Sequence, residues 1–334
     1  MPKKKPTIYD VAKSAGVSIS TISRVLNAPD KVNANTRKTV MTAIDTLGFT
    51  PKAEARARAM QNTGRIGVLS PFFTAPSFVQ RLRGVAAALS RANYELVIYP
   101  VDSIDQLHGH LSSIPLMGNL DGLIIMSLAI PDKDANRLQE KGMETVLIEF
   151  SHPQLNGIII NDFEGGRMAA DHLLKKGHKH VGFLGDIEPP EKYSIHPVKS
   201  RLDGFQQRLA EAGIELPEEY IGSCTYEQEP TILAARALLT LNQRPTAVFV
   251  ASDIQALSVM KVARQLGLRI PADLAIIGFD DIDVADHVDL TTIRQHLDES
   301  GRLAVEMLLS RIDDTSRPLQ KINLSLELLE RQTT

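Results

Sequence analysis

The sequence predicts an α/β protein in two parts: an all-α head, followed by a body of two doubly wound parallel-sheet subdomains. Three observations lead there. Helical spacing with one tight turn fills the first 50 residues, apolar runs alternate with amphipathic stretches from residue 65 onward, and charge is divided unevenly between the parts. At 334 residues with 43% hydrophobic side chains, the chain can build about two domains, each with a core of its own.

In the head, Ile8, Val11, Ala12 and Ala15 recur at i, i+3, i+4 and i+7, with Thr7 before them as N-cap and Gly16 after them as a C′ residue. That spacing predicts a helix over 8–15. Ser18 caps a second helix, in which Ile22, Val25 and Leu26 turn inward while Ile19, Ser20, Ser23 and Arg24 turn outward. Asn33 caps a third, running through Val40, Ile44 and Leu47 to Gly48. Three short helices with a turn at Gly16-Val17 make a helix-turn-helix, whose second helix fits the DNA major groove. Residues 1–62 hold eleven Lys and Arg against four Asp and Glu, a charge of +7, and the rest carries −10 within a total of −3. A basic head suits a polyanion, although basic N-termini are often solvated tails.

The body alternates RIGVLS, YELVIYPV, DGLIIM, ETVLIEF, HVGFLG, AVFVA and LAIIGFD with amphipathic segments, which implies parallel sheets. Crossings near Asn161, Thr291 and Lys321 predict two subdomains, residues 64–161 with 292–321 and residues 162–291 with 322–334, joined by a three-strand hinge. Ligands of open parallel sheets sit beyond the carboxyl ends of the strands. The cleft between the subdomains is therefore the candidate site.

Other classes fit poorly. The longest apolar run, Leu123 to Met126 continuing after Ser127 into Leu128 to Ile130, falls far short of the ~20 residues that cross a bilayer. MPKKKPTIYD has no apolar run behind its charges, and the single Cys224 cannot form an internal disulfide, so the chain reads as cytoplasmic and without a membrane partner. DDIDVADHVD lacks the glycine and terminal glutamate of a calcium loop, and His178 and His180 have no supporting zinc pattern. With no nucleotide-binding glycine motif and no nucleophile set against a base, no catalytic residue, metal or cofactor is expected, and no enzyme.

The stretch TIYDVAKSAGVSISTISRVLNAPDKVNANTRKTVMTAIDTLGFTP resembles, nearly position for position, the DNA-binding head of the lactose/galactose repressor (LacI/GalR) family of bacterial transcriptional regulators. Segments such as NDFEGGRMAADHLLKKGHKHVGFLG, RLDGFQQRL, AVFVASDIQAL, LAIIGFDDI and LTTIRQ extend the resemblance over essentially the whole chain. It implies a helix-turn-helix domain at 1–50, a hinge helix at 51–63, and a periplasmic-binding-protein-like core at 64–334. The implied function is a repressor of sugar-utilisation genes that binds a palindromic operator on double-stranded DNA as a homodimer. A small sugar or related effector in the cleft would control it allosterically. The chain shows no apolar heptads after INLSLELL, which argues for a dimer over a larger assembly. The rival reading is a solute-binding protein or sugar-processing enzyme.

The resemblance assigns Thr7, Ser18, Thr21, Ser23, Asn27 and Thr36 to phosphate contacts, which orient a protein on DNA without reading sequence. Lys31 lies on a loop expected near the backbone, and Tyr9 is divided between phosphate contact and packing. Ile19, Ser20 and Arg24 take the recognition positions; Arg24 can donate two hydrogen bonds to guanine and Ile19 can cover a thymine methyl. In KAEARARAMQ, family spacing places the minor-groove lever on Arg58, while the pattern Ala-Arg-x-apolar places it on Met60. A wedge between base pairs must be apolar, which favours Met60, and an Arg58 tracking the narrow groove remains compatible.

In the body, Phe72 and Phe73 follow the first strand, where either ring can stack on a sugar or pack into the core. The resemblance places Glu149, Arg201, Asp280 and Gln295 at effector positions and Ser252 where many relatives have Asn, while Asp253 beside it reads as a helix cap. Tyr226 and His196 lie on loops near the cleft by analogy. This charged, hydrogen-bonding set suits a polyhydroxy compound better than a purine.

Overall fold

A computed structural model describes residues 6–27, 32–47, 63–187 and 194–334. Lys31, Arg58, Met60 and the proposed hinge helix lie outside the described residues, and of Asn27 only the backbone belongs to them. The chain divides into two compact units between Thr63 and Gly64.

The head consists of α1 (Ile8–Ala15), α2 (Ile19–Asn27) and α3 (Ala34–Leu47). The Asp10 carboxylate reaches back to accept the Thr7 backbone N–H at 2.8 Å and its hydroxyl at 2.7 Å, which fixes the start of α1. Gly16 ends α1 at φ 65°, a left-handed conformation that a glycine adopts without Cβ strain. Ser18 Oγ accepts the Thr21 N–H at 3.2 Å, and Asn33 Oδ1 accepts the Asn35 N–H at 2.8 Å, so both expected caps are formed. Val11, Ala12 and Ala15 pack with Ile22, Val25, Val40, Ala43 and Ile44 in one small core.

Among the described residues, the body holds two six-stranded sheets. The first has the order β11-β5-β4-β3-β1-β2, with β1 (Arg65–Ser70), β2 (Glu95–Pro100), β3 (Gly122–Met126), β4 (Glu144–Ile148), β5 (Asn156–Ile160) and β11 (Lys321–Leu324). The second has the order β12-β10-β9-β8-β6-β7, with β6 (Val181–Gly185), β7 (Ile221–Ser223), β8 (Ala247–Val250), β9 (Ala275–Asp280), β10 (Thr291–Arg294) and β12 (Glu327–Leu329). All pairs are parallel except β10 with β12. Six of the seven apolar runs read from the sequence are buried central strands packed on both faces, as parallel sheets require; the seventh, YELVIYPV, is the edge strand β2, which is only partly buried.

Two expected crossings move. β10 pairs with β9 in the register Arg294↔Asp280, so residues 292–294 stay with the second sheet; β11 pairs with β5, so residues 322–324 belong to the first. The chain therefore crosses after Ile160, between Arg294 and Leu297, and between Leu324 and Glu327.

Helices α4 (Pro76–Arg91) and α12 (Leu297–Asp313) cover the first sheet, and α7 (Asp162–Lys175) and α8 (Pro197–Glu211) the second, in equivalent places. Each pair lies backbone to backbone. A Cβ on Gly84 would stand 2.0 Å from the Asp298 carbonyl oxygen and one on Gly301 2.2 Å from that of Arg81; at Gly204 and Gly166 the neighbours are the carbonyls of Phe163 and Arg201, each at 1.9 Å. The contacts repeat because the sequence does. RLRGV at 81–85 matches RLDGF at 201–205, and DESGRLAVEMLL at 298–309 matches FEGGRMAADHLL at 163–174.

Candidate functional site

Eight described non-glycine residues have positive φ, and six of them, Phe72, Ser127, Glu149, Asp280, Asp281 and His296, stand at or just beyond the carboxyl ends of β1, β3, β4, β9 and β10. Such conformations cost of order 1–3 kcal/mol each and gather at functional sites. Three of them, Ser127, Glu149 and Asp280, carry their side chains into one set of polar contacts, while Asp281 pairs with Arg294 and Arg331. The strand-end segments also meet: Leu128 and Ser194 form an antiparallel bridge, and the Ile195 N–H donates to the Ser127 carbonyl at 3.1 Å.

A single chain of polar contacts runs through that space. Ser127 Oγ donates to Glu149 Oε2, and Arg81 Nη2 donates to Glu149 Oε1. The same nitrogen lies 3.2 Å from Gln295 Oε1, Gln295 Nε2 donates to Asp280 Oδ1 at 2.5 Å, and Arg201 Nη1 stands 3.9 Å from that oxygen. Arg201 Nε donates to Asp162 at 2.8 Å and Nη1 to the Ala251 carbonyl at 2.6 Å, while its guanidinium carbon lies 3.6 Å from the Phe279 ring centroid. Arg81, Arg201, Asp280 and Gln295 are all buried.

Burial works against ionisation of both strand-end carboxylates, with different outcomes. At Glu149, the Arg81 guanidinium and the Ser127 hydroxyl overcome it and hold the pKa below the ordinary value. At Asp280, burial prevails over Arg201 and the Gln295 amide, and the carboxyl is pushed up to about 6. Burial likewise raises Asp162 against the pull of Arg201.

The structure brings together Glu149, Arg201, Asp280 and Gln295 as expected. Ser252, two residues beyond β8 and next to the Ala251 carbonyl that Arg201 bonds, is the N-cap of α10 (Asp253–Gln265), where its hydroxyl accepts the Gln255 N–H at 3.4 Å. That corrects the reading of Asp253 as a cap. Asp253 is fully buried and accepts the Ile282 N–H at 2.9 Å and the Thr292 hydroxyl at 2.6 Å, tying β8, β9 and β10 together. Phe72 and Phe73 are 49% and 37% exposed, so neither is a core ring; Phe72 meets Phe78 edge-on at 6.3 Å. Tyr226 lies beyond β7, and burial together with the charges of Asp280 and Asp253 raises its pKa. His196 precedes α8 and its charge lowers the otherwise raised Asp186 pKa.

Arg81, Ser127 and Asp162 are functional candidates that the sequence reading misses. Phe78, Arg81, Leu82 and Val85 share one helix stripe, so Arg81 sits among apolar side chains that face the core. The internal match of RLRGV with RLDGF also points to Arg81 as the counterpart of Arg201.

In the head, Ile19 is 40% exposed, and Ser20 and Arg24 are exposed with it on α2. Ser18 Oγ bonds the hydroxyls of Ser20 and Thr21 at 2.7 and 2.8 Å. Tyr9 is 69% exposed, which removes the packing alternative. Thr7 is exposed, and Thr21, Ser23 and Thr36 are half-buried.

Fold and site define a class: a helix-turn-helix head joined to a periplasmic-binding-protein-like body. Residues 7–52 match the family model of bacterial regulatory proteins, lacI family, and residues 170–334 that of a periplasmic binding protein-like domain. The HTH-type transcriptional repressor PurR of Proteus mirabilis (strain HI4320) is 33% identical over 334 residues, covering 98% of this chain and 96% of that one. The chain belongs to the LacI family of bacterial regulatory proteins. Among solved structures, the lac repressor dimer bound to operator and the anti-inducer ONPF matches with TM-score 0.79 and 26% identity over 99% of each chain. The transcriptional regulator CelR in complex with cellobiose matches with TM-score 0.70 and 27% identity, over 98% of this chain and 100% of that one. Among the described residues, no helix is long and apolar enough to cross a membrane.

Proposed function

We propose that the protein is a cytoplasmic, non-enzymatic repressor of sugar-utilisation genes that binds a palindromic operator as a homodimer. A sugar or related polyhydroxy compound in the cleft controls it. The observation that carries the regulatory half is the buried chain from Glu149 and Arg81 in the first subdomain, through Gln295, to Asp280 and Arg201 in the second. A ligand that enters this chain touches both subdomains and so differs in affinity between their open and closed arrangements. Paired carboxylate and guanidinium groups match hydroxyls, which both donate and accept. Phe72 and Phe73, half-exposed after β1, offer apolar faces at the rim. Ser252, at the start of α10 just beyond β8, offers a further short hydroxyl contact.

The outward face of α2 carries the DNA-binding half, with Ile19, Ser20 and Arg24 toward base edges. Thr7, Tyr9, Ser18, Thr21, Ser23, Asn27, Lys31 and Thr36 contact the backbone, and Arg58 and Met60 serve the minor groove. Arg24→Ala should lose ~1–3 kcal/mol on the operator and relax one base preference in each half-site. Fluorescence anisotropy on palindromic and random duplexes measures this, and equal weakening on both would remove Arg24 from base reading.

A further inference from the structure

We infer that Arg81 and Glu149 form a second effector-anchoring pair, the counterpart of Arg201 and Asp280, and that the effector is an uncharged compound with hydroxyls at both ends. This rests on the cleft being an effector site. The two pairs occupy equivalent places: each arginine sits on the RLxG helix against the glycine of the partner helix, and each carboxylate follows the equivalent strand at positive φ. Each pair also keeps open hydrogen-bonding capacity. Among the described residues, Arg81 donates through Nε and Nη2 only, and Arg201 through Nε and Nη1 only, so Arg81 Nη1 and Arg201 Nη2 are available. Asp280 takes its bond on Oδ1, which leaves Oδ2, and each Glu149 oxygen accepts one bond where it can take two.

An open N–H beside an open carboxylate oxygen asks for a partner that accepts and donates at once. A hydroxyl does both, and adjacent hydroxyls can engage both groups, whereas an ionised carboxylate or phosphate only accepts. Charge points the same way. Two arginines already share the space with Glu149, Asp162 and Asp280, so an anionic ligand would enlarge a buried excess of acid. Two such poles, one in each subdomain, make a compound that reaches both the tie that holds the cleft closed.

The test is calorimetry on the full chain with D-mannitol, D-glucitol, D-glucose and cellobiose, each beside its terminally deoxygenated analogue and its aldonate. D-mannitol is informative because its halves are related by a two-fold rotation, so either orientation offers the same hydroxyls. Arg81→Met alone leaves Glu149 buried without its cation and can unfold the body, so the double variant Arg81→Met with Glu149→Met is measured beside it; replacing a buried pair by apolar groups preserves folding more often. Wild type should bind at least one neutral compound about tenfold or more tightly than both its deoxy analogue and its aldonate, because a lost hydroxyl leaves buried polar groups unpaired. The double variant, folded by its melting curve, should lose that preference between the neutral compound and its deoxy analogue. A neutral compound that binds wild type no better than its deoxy analogue or its aldonate, or a double variant that keeps the full preference, overturns the inference while the effector reading stands. If folded wild type binds no member of the panel, the effector reading falls and the inference with it.

Discussion

At the end of β4, Glu149 receives Arg81 directly and the Ser127 hydroxyl besides; at the end of β9, Asp280 has its arginine 3.9 Å away, because Arg201 commits its closer bonds to Asp162 and the Ala251 carbonyl. Equivalent strands and equivalent helices thus build two poles whose carboxyls hold their protons with different strength. The first is a tight ion pair with its carboxylate firmly ionised. The second is a looser arrangement, its carboxyl pushed up to about 6 and crowded by buried Asp253, whose own pKa burial and Asp280 drive well up. A shared backbone plan therefore leaves protonation to the side chains around each strand end, one or two contacts deciding the sign.

The largest expected effect breaks the first pole. Arg81→Met alone should cost ~3–5 kcal/mol in urea unfolding, because an uncompensated carboxylate stays buried, and adding Glu149→Met should return most of it. A single variant as stable as wild type would show that Glu149 does not depend on Arg81.

The next effect sharpens the contrast through pH. Glu149 has a depressed pKa, so its ionised form stabilises the fold above its ordinary value of 4.5, and that contribution is lost as pH falls. Asp280 has the opposite sign. Its carboxyl releases its proton near 3.8 in the unfolded chain and near 6 in the folded one, so stability falls as pH rises between these values and stays reduced above them. Asp280→Asn should therefore stabilise the protein at pH 7 on the order of 2 kcal/mol, with little change near pH 4. Glu149→Gln should destabilise at pH 7 and progressively less toward pH 4. Melting curves across this range check both, and shifts of the same sign would mean that the poles are alike.

How much of this is legible from sequence varies with the kind of signal. The head is readable through spacing and caps: Gly16, Ser18 and Asn33 each do in the structure what their residue types allow, since capping is local. The crossings fall a few residues from where the sequence suggests, because β10 and β11 are four-residue strands whose sheet membership is decided by a long-range partner. Asp253 reads as a cap because both it and Ser252 have capping side chains; the extended backbone of Ser252, φ −149° and ψ 155°, gives it the cap instead. Arg81 escapes notice beside exposed Arg83, because a lone arginine on an amphipathic helix ordinarily reaches water.

The smallest effect concerns that neighbour. Arg83 spans from α4 to Asp283 of the second subdomain at 2.6 Å and to Asp298 at 2.6 Å, whereas its counterpart Asp203 pairs, among the described residues, with Lys199 one turn away. Exposed pairs contribute little, so Arg83→Ala should cost under ~1 kcal/mol, less at high salt, and Asp203→Ala less still. Urea unfolding at two salt concentrations checks the order, and equal costs would deny Arg83 any role between the subdomains.

Under the proposed function, a ligand touching both poles controls operator affinity. By linkage, a ligand that weakens operator binding must itself bind more weakly to the operator complex. The direct measurement is anisotropy of a labelled palindromic operator titrated with wild type and with Asp280→Ala, each with and without the neutral compound that calorimetry identifies. Wild type should change its operator affinity by about tenfold or more, while Asp280→Ala keeps its ligand-free affinity and responds weakly or not at all; an equal response in both proteins would contradict the account.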